Sequence, residues 1–318
     1  MTPGKYRHLM QCSTPNGHFS IVAIDHRANL QSALNKHAAH PVTDDEFKGF
    51  KRQVIRALAP GASAILSDPI YGLDGCFEPP YRGLLVPLEL TNYDVHPSRR
   101  DTAFIPDWTV AKAKRLGASG IKLLLYFHPD DATAEEKKRV VAEIVDECSR
   151  VDIPFFLEPI AYSPDPQRSL TNPELLQVVV ESARLFSSMG VDVLKLEFPV
   201  NVSDEPDERA WLTAAQEVNR ACSVPWALLS AGVPYEVFRK QAEIACRAGA
   251  SGIIAGRAVW GEAVELQGVD RQHFLETTAR QRVEELGQIC ATYARSWTDS
   301  VVRPDFSPHW YSRYAEIE

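Results

Sequence analysis

One lysine interrupts an otherwise apolar run at Val191-Asp192-Val193-Leu194-Lys195-Leu196-Glu197-Phe198-Pro199. The run has the length and composition of a strand buried on both faces. Side chains alternate along a strand, so Val193, Lys195 and Glu197 share one face and Leu194 and Leu196 the other. A buried ammonium is costly unless it is paired or gives up its proton. Burial and neighbouring cations lower a lysine pKa, and the neutral amine is then a Schiff-base nucleophile. A lysine in such a run can also snorkel to water or pair with a carboxylate. The other apolar runs help to decide between these roles. They end at or near Asp25 and Arg27, Asp68, Lys122, Glu158, Ser230 and Arg257. A single charged strand end reads as a cap or a surface ion pair, but a set that converges on one mouth does not. Lys195 is the candidate nucleophile. Lys122 could supply a cation that depresses the Lys195 pKa and stabilises a developing alkoxide. Glu158 could carry protons to and from substrate, and Asp25 could orient a lysine or hold a hydroxyl. Lys122 and Glu158 could equally form a structural ion pair.

A second chemistry is written near the C-terminal end of the run of strands. Leu229-Ser230-Ala231-Gly232-Val233-Pro234 is a strand end, a small-residue turn and a proline at a helix start. Such a turn leaves backbone N–H groups for an anion. Ala255-Gly256-Arg257 adds a glycine that permits close approach and a guanidinium.

These residues need elements to position them. Apolar runs at 19–27, 62–68, 83–88, 120–126, 154–159, 191–197, 225–230 and 251–257 read as eight strands. Pro87 limits pairing of the third. Helical patterns cover 43–59, 107–116, 133–150, 172–189, 204–222 and 234–248. Thr43 and Glu46 form a capping box, and Pro60-Gly61 and Gly249 are stops. Residues 69–80 and 89–101 read as loops, the second of them polar. Strands alternating with helices imply parallel pairing through right-handed crossovers. Eight units in about 240 residues predict an α/β fold of the (β/α)8 TIM-barrel type, whose chemistry lies at the carboxyl ends of the strands. No GxGxxG follows the first strand, so a dinucleotide-binding sheet has no support. A single domain, 1–318, is expected. Its barrel core covers about 19–267, with an extra C-terminal helix near 270–296 and a tail from Val301 packed outside.

The chain has 318 residues, 45% of them hydrophobic and 24% charged, with a net charge of −8. That charge argues against a nucleic-acid binder, although a local Arg/Lys cluster can still hold an anionic substrate. No apolar run is long enough for a membrane span, and the first residues lack a signal-peptide core. A cytoplasmic protein is expected. The six cysteines and nine histidines are scattered, without CxxC, HxH or HExxH. Neither a disulfide framework nor a catalytic metal is expected.

The motifs AIDHR, ILSDPIYG, GIKLLLYF, FFLEPIAY, VDVLKLEFPV, LLSAGVPYEVF and GIIAGRAVWGEAV resemble, in that order over about 19–267, the class I tagatose-1,6-bisphosphate aldolases. That family includes the sulfofructosephosphate aldolases. The resemblance implies a barrel and a metal-free retro-aldol cleavage of a ketose phosphate, with no cofactor beyond the covalent Schiff base. Lys195 resembles the Schiff-base lysine, Glu158 the acid/base carboxylate, Lys122 the second lysine and Asp25 the first-strand aspartate. Ser230, Gly232, Gly256 and Arg257 resemble the C1-phosphate site, and Arg27 and Asp68 join the expected substrate-facing set. His26 departs from the glutamine expected there in tagatose-bisphosphate enzymes, which bears on sugar identity. The implied partner is a phosphorylated sugar, and a homo-oligomer is expected.

The implied chemistry runs from attack of Lys195 on a C2 ketone to an iminium. The iminium is an electron sink for cleavage of C3–C4, which leaves an aldehyde and dihydroxyacetone phosphate. Other readings stay open on the sequence alone. They are a transaldolase-like or deoxy-sugar-acid aldolase using the same lysine, a metal-dependent barrel enzyme, and a non-catalytic phosphosugar sensor.

Overall fold

The protein is described from a computed structural model, which covers residues 1–80, 82–90, 95–100 and 102–314. Eight parallel strands close into a barrel. In chain order the strands are β1 (Phe19–Ile24), β2 (Ala64–Ser67), β3 (Gly83–Pro87), β4 (Glu89–Leu90), β5 (Ala103–Phe104), β6 (Gly120–Tyr126), β7 (Phe155–Ile160), β8 (Val193–Leu196), β9 (Trp226–Leu229) and β10 (Gly252–Ala255). The barrel order is β1-β10-β9-β8-β7-β6-β3-β2, while β4 and β5 form a separate antiparallel pair. The helices are α1 (Pro3–Cys12), α2 (Ala28–Asn35), α3 (Asp44–Leu58), α4 (Val110–Leu116), α5 (Ala134–Arg150), α6 (Asn172–Ser187), α7 (Glu208–Ala221), α8 (Tyr235–Ala248), α9 (Arg257–Trp260), α10 (Gly268–Phe274) and α11 (Arg280–Tyr293). A π-helical turn, Leu275–Ala279, joins the last two. Among the described residues no helix is long and apolar enough to cross a membrane.

The alternation expected of strands divides the apolar residues into two cores. Val22, Ile65, Val86, Leu123, Leu157, Leu194, Leu228 and Ile253 face outward and pack under the helices. Ile21, Ala23, Leu66, Leu85, Phe156, Val193, Ala227 and Ile254 face inward and fill the barrel. The parity of each strand therefore aims Lys122, Glu158 and Lys195 inward as well. Phe156, paired with both Lys122 and Val193 across the sheet, lies on the floor beneath the lysines. Trp297, Leu9 and Cys12 belong to this inner cluster, and Trp297 Nε1 donates to Ser13 Oγ at 2.9 Å. Residues near both chain ends thus seal the bottom of the barrel and leave its carboxyl mouth for chemistry.

The helix ends follow their sequence signals. Thr43 and Glu46 form the expected capping box of α3, and Thr171 and Glu174 form another at α6. Gly249 closes α8 at φ +118°, a left-handed backbone suited to glycine. Pro87 occupies the last position of β3, opposite Lys122, so the missing N–H interrupts little of the ladder. The long C-terminal helix appears as α10, the π turn and α11. The stretch beyond it leaves Val302, Phe306 and Tyr311 exposed. Some elements, α9 at the end of β10 among them, were not anticipated. Helix α1 precedes the barrel, α2 follows β1 directly, and the β4–β5 pair replaces part of the expected loop at 89–101. Thr91–Asp94 and Asp101 of that loop lie outside the described residues.

Asp68 corrects an expectation. It ends β2 as predicted but does not line the cavity at the barrel mouth. It is fully buried and paired with Lys51 of α3, which is also fully buried. Asp68 Oδ1 accepts the N–H groups of Ile70 at 3.0 Å and Tyr71 at 2.9 Å, and Lys51 Nζ donates to Ile24 O at 3.0 Å. The pair ties α3 to the ends of β1 and β2. Burial pulls the Lys51 pKa down, against Asp68, which raises it.

Removing one partner leaves a buried charge uncompensated, which costs about 3–5 kcal/mol. Lys51→Met should lower unfolding stability by that amount in urea denaturation. A loss below about 1 kcal/mol would mean that Asp68 finds another counter-charge.

Candidate active site

The inward parity of the strands gathers the charged residues into one cavity of about 240 Å³ at the carboxyl mouth. Asp25, Arg27, Lys122, Glu158, Lys195, Ser230, Gly232, Gly256 and Arg257 all line it, as do His26, Glu89, Tyr126 and Glu197. Every site residue expected from sequence except Asp68 is therefore brought together.

Glu158 stands between the two lysines. Its Oε1 is 2.9 Å from Lys195 Nζ and its Oε2 is 2.9 Å from Lys122 Nζ. Lys122 also lies 3.0 Å from Asp25 Oδ2 and 2.7 Å from Glu89 Oε1. Lys195 and Lys122 are only 5% and 2% exposed, so these carboxylates replace the water that both ammonium groups lose. Burial alone would lower the Lys122 pKa, but Asp25, Glu158 and Glu89 outweigh it and hold the group well above the ordinary lysine range. Lys122 is thus a fixed cation. Burial works against the Asp25 carboxylate, yet Lys122, Lys195 and His26 keep its carboxyl well below the usual range.

Glu89 was missed in sequence because it falls in a stretch that reads as polar loop. Leu88-Glu89-Leu90 directly after an apolar strand was the available signal. Leu88 is buried, and Glu89 is 2% exposed. Burial raises the Glu89 pKa, while Lys122 opposes the shift. Its Oε2 has no hydrogen-bond partner among the described residues. Arg27 Nη2 donates to the Glu89 carbonyl, while Arg27 Nη1 is buried in the cavity wall without a hydrogen-bond partner among the described residues.

The far side of the cavity is built from the ends of β9 and β10. Ala231 and Gly232 both take positive φ, +46° and +75°, in a tight turn closed by the Val233 N–H donating to Ser230 O at 3.1 Å. Ser230 Oγ accepts the Gly256 N–H at 3.1 Å, which fixes the two strand ends to each other. The Arg257 side chain crosses Gly232 closely: a Cβ at 232 would lie 3.3 Å from its guanidinium carbon. Arg257 is exposed. A Cβ at Gly256 would lie 3.0 Å from His26 Cε1, so glycine is what lets the imidazole reach this position.

His26 packs edge-on against Trp260 at 5.4 Å, and Trp260 Nε1 donates to Ala23 O at 3.0 Å. Its Nδ1 is 3.9 Å from Asp25 Oδ1 and has no hydrogen-bond partner among the described residues. Burial pushes the imidazole pKa down to about 3; Asp25 opposes this, and Arg257, Lys51 and Lys195 add to it. The ring therefore faces the cavity as a neutral group. In an NMR titration the His26 ring carbon should show no inflection between about pH 5 and 8. A midpoint near 6.5 would mean that water reaches the ring freely.

Comparison with known proteins gives a consistent picture. Residues 19–262 match the family model of the DeoC/LacD family aldolase. The tagatose 1,6-diphosphate aldolase of Streptococcus agalactiae is 33% identical over 326 residues, covering 94% of this chain and 99% of that protein. Tagatose 1,6-diphosphate aldolase 2 of Enterococcus faecalis is 36% identical over 325 residues, covering 93% of this chain and 96% of the relative. An archaeal fructose-1,6-bisphosphate aldolase, with its catalytic lysine bound to a carbinolamine intermediate, shares the fold at a TM-score of 0.60 and 19% identity; the match covers 88% of this chain and 98% of that one. The chain belongs to the DeoC/LacD family of aldolases, enzymes that make and break carbon–carbon bonds.

Proposed function

We propose that this protein is a class I aldolase that cleaves a ketose bisphosphate, tagatose 1,6-bisphosphate first among them, into dihydroxyacetone phosphate and an aldehyde. The observation that carries the reading is the Lys195–Glu158–Lys122 chain, with 2.9 Å at each link, inside a cavity at the barrel mouth. The names of the curated relatives support the choice of sugar.

Each residue has a step. Glu158 takes a proton from the Lys195 ammonium, and the freed amine attacks the C2 ketone. The same carboxyl then protonates the carbinolamine hydroxyl, which leaves as water, and an iminium remains. Cleavage of C3–C4 sends the electron pair of that bond into the iminium, giving an enamine. The C4 hydroxyl must lose its proton in that step, and Glu158 is the base. Lys122, a permanent cation held by Asp25 and Glu89, faces the oxygen on which negative charge develops. A lysine sink does the work that a Lewis-acid metal does in other aldolases. Protonation and hydrolysis of the enamine release the three-carbon phosphate.

The C1 phosphate is assigned to Arg257, Ser230 and the backbone around Ala231 and Gly232. The support is the tight turn at positive φ, between two strand ends at the cavity, and the guanidinium laid across Gly232. Arg27, with Nη1 buried in the cavity wall and without a hydrogen-bond partner among the described residues, is a further substrate-facing donor.

The test is a panel of ketose bisphosphates and sulfofructose phosphate with product detection in the presence of EDTA. Cleavage of tagatose 1,6-bisphosphate that survives the chelator is expected. Activity lost to EDTA and restored by a divalent metal would overturn the reading. Arg257 gives a second prediction. Arg presents two parallel donors to an oxyanion where Lys presents a point charge. Arg257→Lys should weaken dihydroxyacetone phosphate binding, and Arg257→Ala should weaken it further, by roughly 10- to 150-fold. Calorimetric affinity unchanged in a folded Arg257→Ala protein would place the phosphate elsewhere.

A further inference from the structure

Four carboxyl side chains line the cavity, and they do not have the same company. Asp25, Glu89 and Glu158 each lie within 3.0 Å of a lysine ammonium. Glu197 does not. It sits one residue beyond β8, on the same face as Lys195, with Oε1 accepting the Ala161 N–H at 2.6 Å. No cation pairs with it among the described residues, and its charged neighbour is another carboxylate, Glu158. A lysine beside a carboxylate favours its ionised form. A carboxyl placed in a partly dry cavity beside a second carboxylate keeps its proton. The mechanism above uses Glu158 as its base and leaves open what delivers a proton to carbon after the bond breaks.

We propose that Glu197 is the general acid of this site and protonates the enamine carbon left on Lys195 after carbon–carbon cleavage. The inference rests on the class I reading. The step balances. The O–H bond of the neutral Glu197 breaks, and its proton joins C3 of the enamine, whose electron pair forms the new C–H bond. An iminium and a Glu197 carboxylate result. Water then hydrolyses the iminium, Lys195 is released, and solvent restores the Glu197 proton. The proton that Glu158 takes from the C4 hydroxyl is thus separate from the one delivered at C3. Two groups can then hold opposite protonation states at once, which a single carboxyl cannot do.

The electrostatics agree with the geometry. Burial raises the Glu197 pKa to about 7, with Glu158 adding to the shift and the Ala161 N–H opposing it. The charged and titratable groups that line the same cavity are Asp25, His26, Arg27, Glu89, Lys122, Tyr126, Glu158, Lys195 and Arg257. The acid form is present below about pH 7 and is lost as pH rises through that value, so enamine protonation should slow on the alkaline side.

The test is Glu197→Gln, which keeps an oxygen to accept the Ala161 N–H but carries no transferable proton. The substrate is tagatose 1,6-bisphosphate, and hexacyanoferrate is added to oxidise the enamine as it accumulates. The single-turnover burst of aldehyde should persist, steady-state turnover should fall about 100-fold, and hexacyanoferrate reduction per turnover should rise. The alkaline limb near pH 7 in kcat should disappear. A structural role for Glu197 predicts no change, because glutamine preserves the contact. Unaltered turnover, or burst and steady state falling together without enamine, would overturn the assignment. An absence of oxidisable enamine and of aldehyde burst in the wild type would overturn the Schiff-base reading itself. Should the variant fail to fold, proton exchange at C3 of dihydroxyacetone phosphate on the wild-type enzyme decides. Removal of the C3 proton reverses the proposed step and needs the Glu197 carboxylate, so exchange should rise as pH passes through about 7, and a flat profile contradicts the proposal.

Discussion

Two ammonium groups are buried in the mouth of this barrel, and one carboxylate touches both. Glu158 lies 2.9 Å from Lys195 and 2.9 Å from Lys122. An unpaired charge at such depth is costly, so the surrounding carboxylates are a condition for placing lysines there at all. Much of the architecture serves that condition. Closure of the sheet brings β6, β7 and β8 side by side, and strand parity turns one charged residue of each into the same space. The β4–β5 pair, outside the barrel sheet, supplies Glu89 as a further counter-charge for Lys122.

The same arrangement separates the duties of like residues. Among the described residues Lys122 has three carboxylate partners and holds its proton, while Lys195 has one, Glu158. Asp25 is held ionised by the lysines after burial has been overcome, whereas Glu197, beside Glu158 and with no cation paired to it among the described residues, is raised to about 7. In the proposed mechanism, chemically identical groups thus take acid, base and fixed-charge roles from their positions. On the opposite wall, positive φ at Ala231 and Gly232, with the guanidinium across Gly232, forms a surface suited to an oxyanion.

The barrel and most of its mouth were readable in the sequence because both rest on periodicity. Alternation around Lys195 and the charged ends of the neighbouring strands placed Lys122, Glu158 and Asp25 without knowledge of any contact. Asp68 shows where that logic stops. It ends a strand as the others do, but Lys51, seventeen residues earlier in a helix, claims it. Strand parity cannot reveal a partner on another element. Glu89 is the converse case. Two residues of strand are too short to register as an element, yet they carry a buried carboxylate into the site. Helix α2 was passed over for a similar reason, since it begins directly after the polar end of β1 and lacks a side-chain cap.

The central claim is that Lys195, and no other lysine, becomes covalently bonded to substrate. Borohydride reduction with dihydroxyacetone phosphate, followed by peptide mass spectrometry, tests it directly. The account predicts a stable adduct on the peptide that contains Lys195, and none in a folded Lys195→Met protein. An adduct on Lys122, or full catalytic activity with no lysine modified, would contradict it.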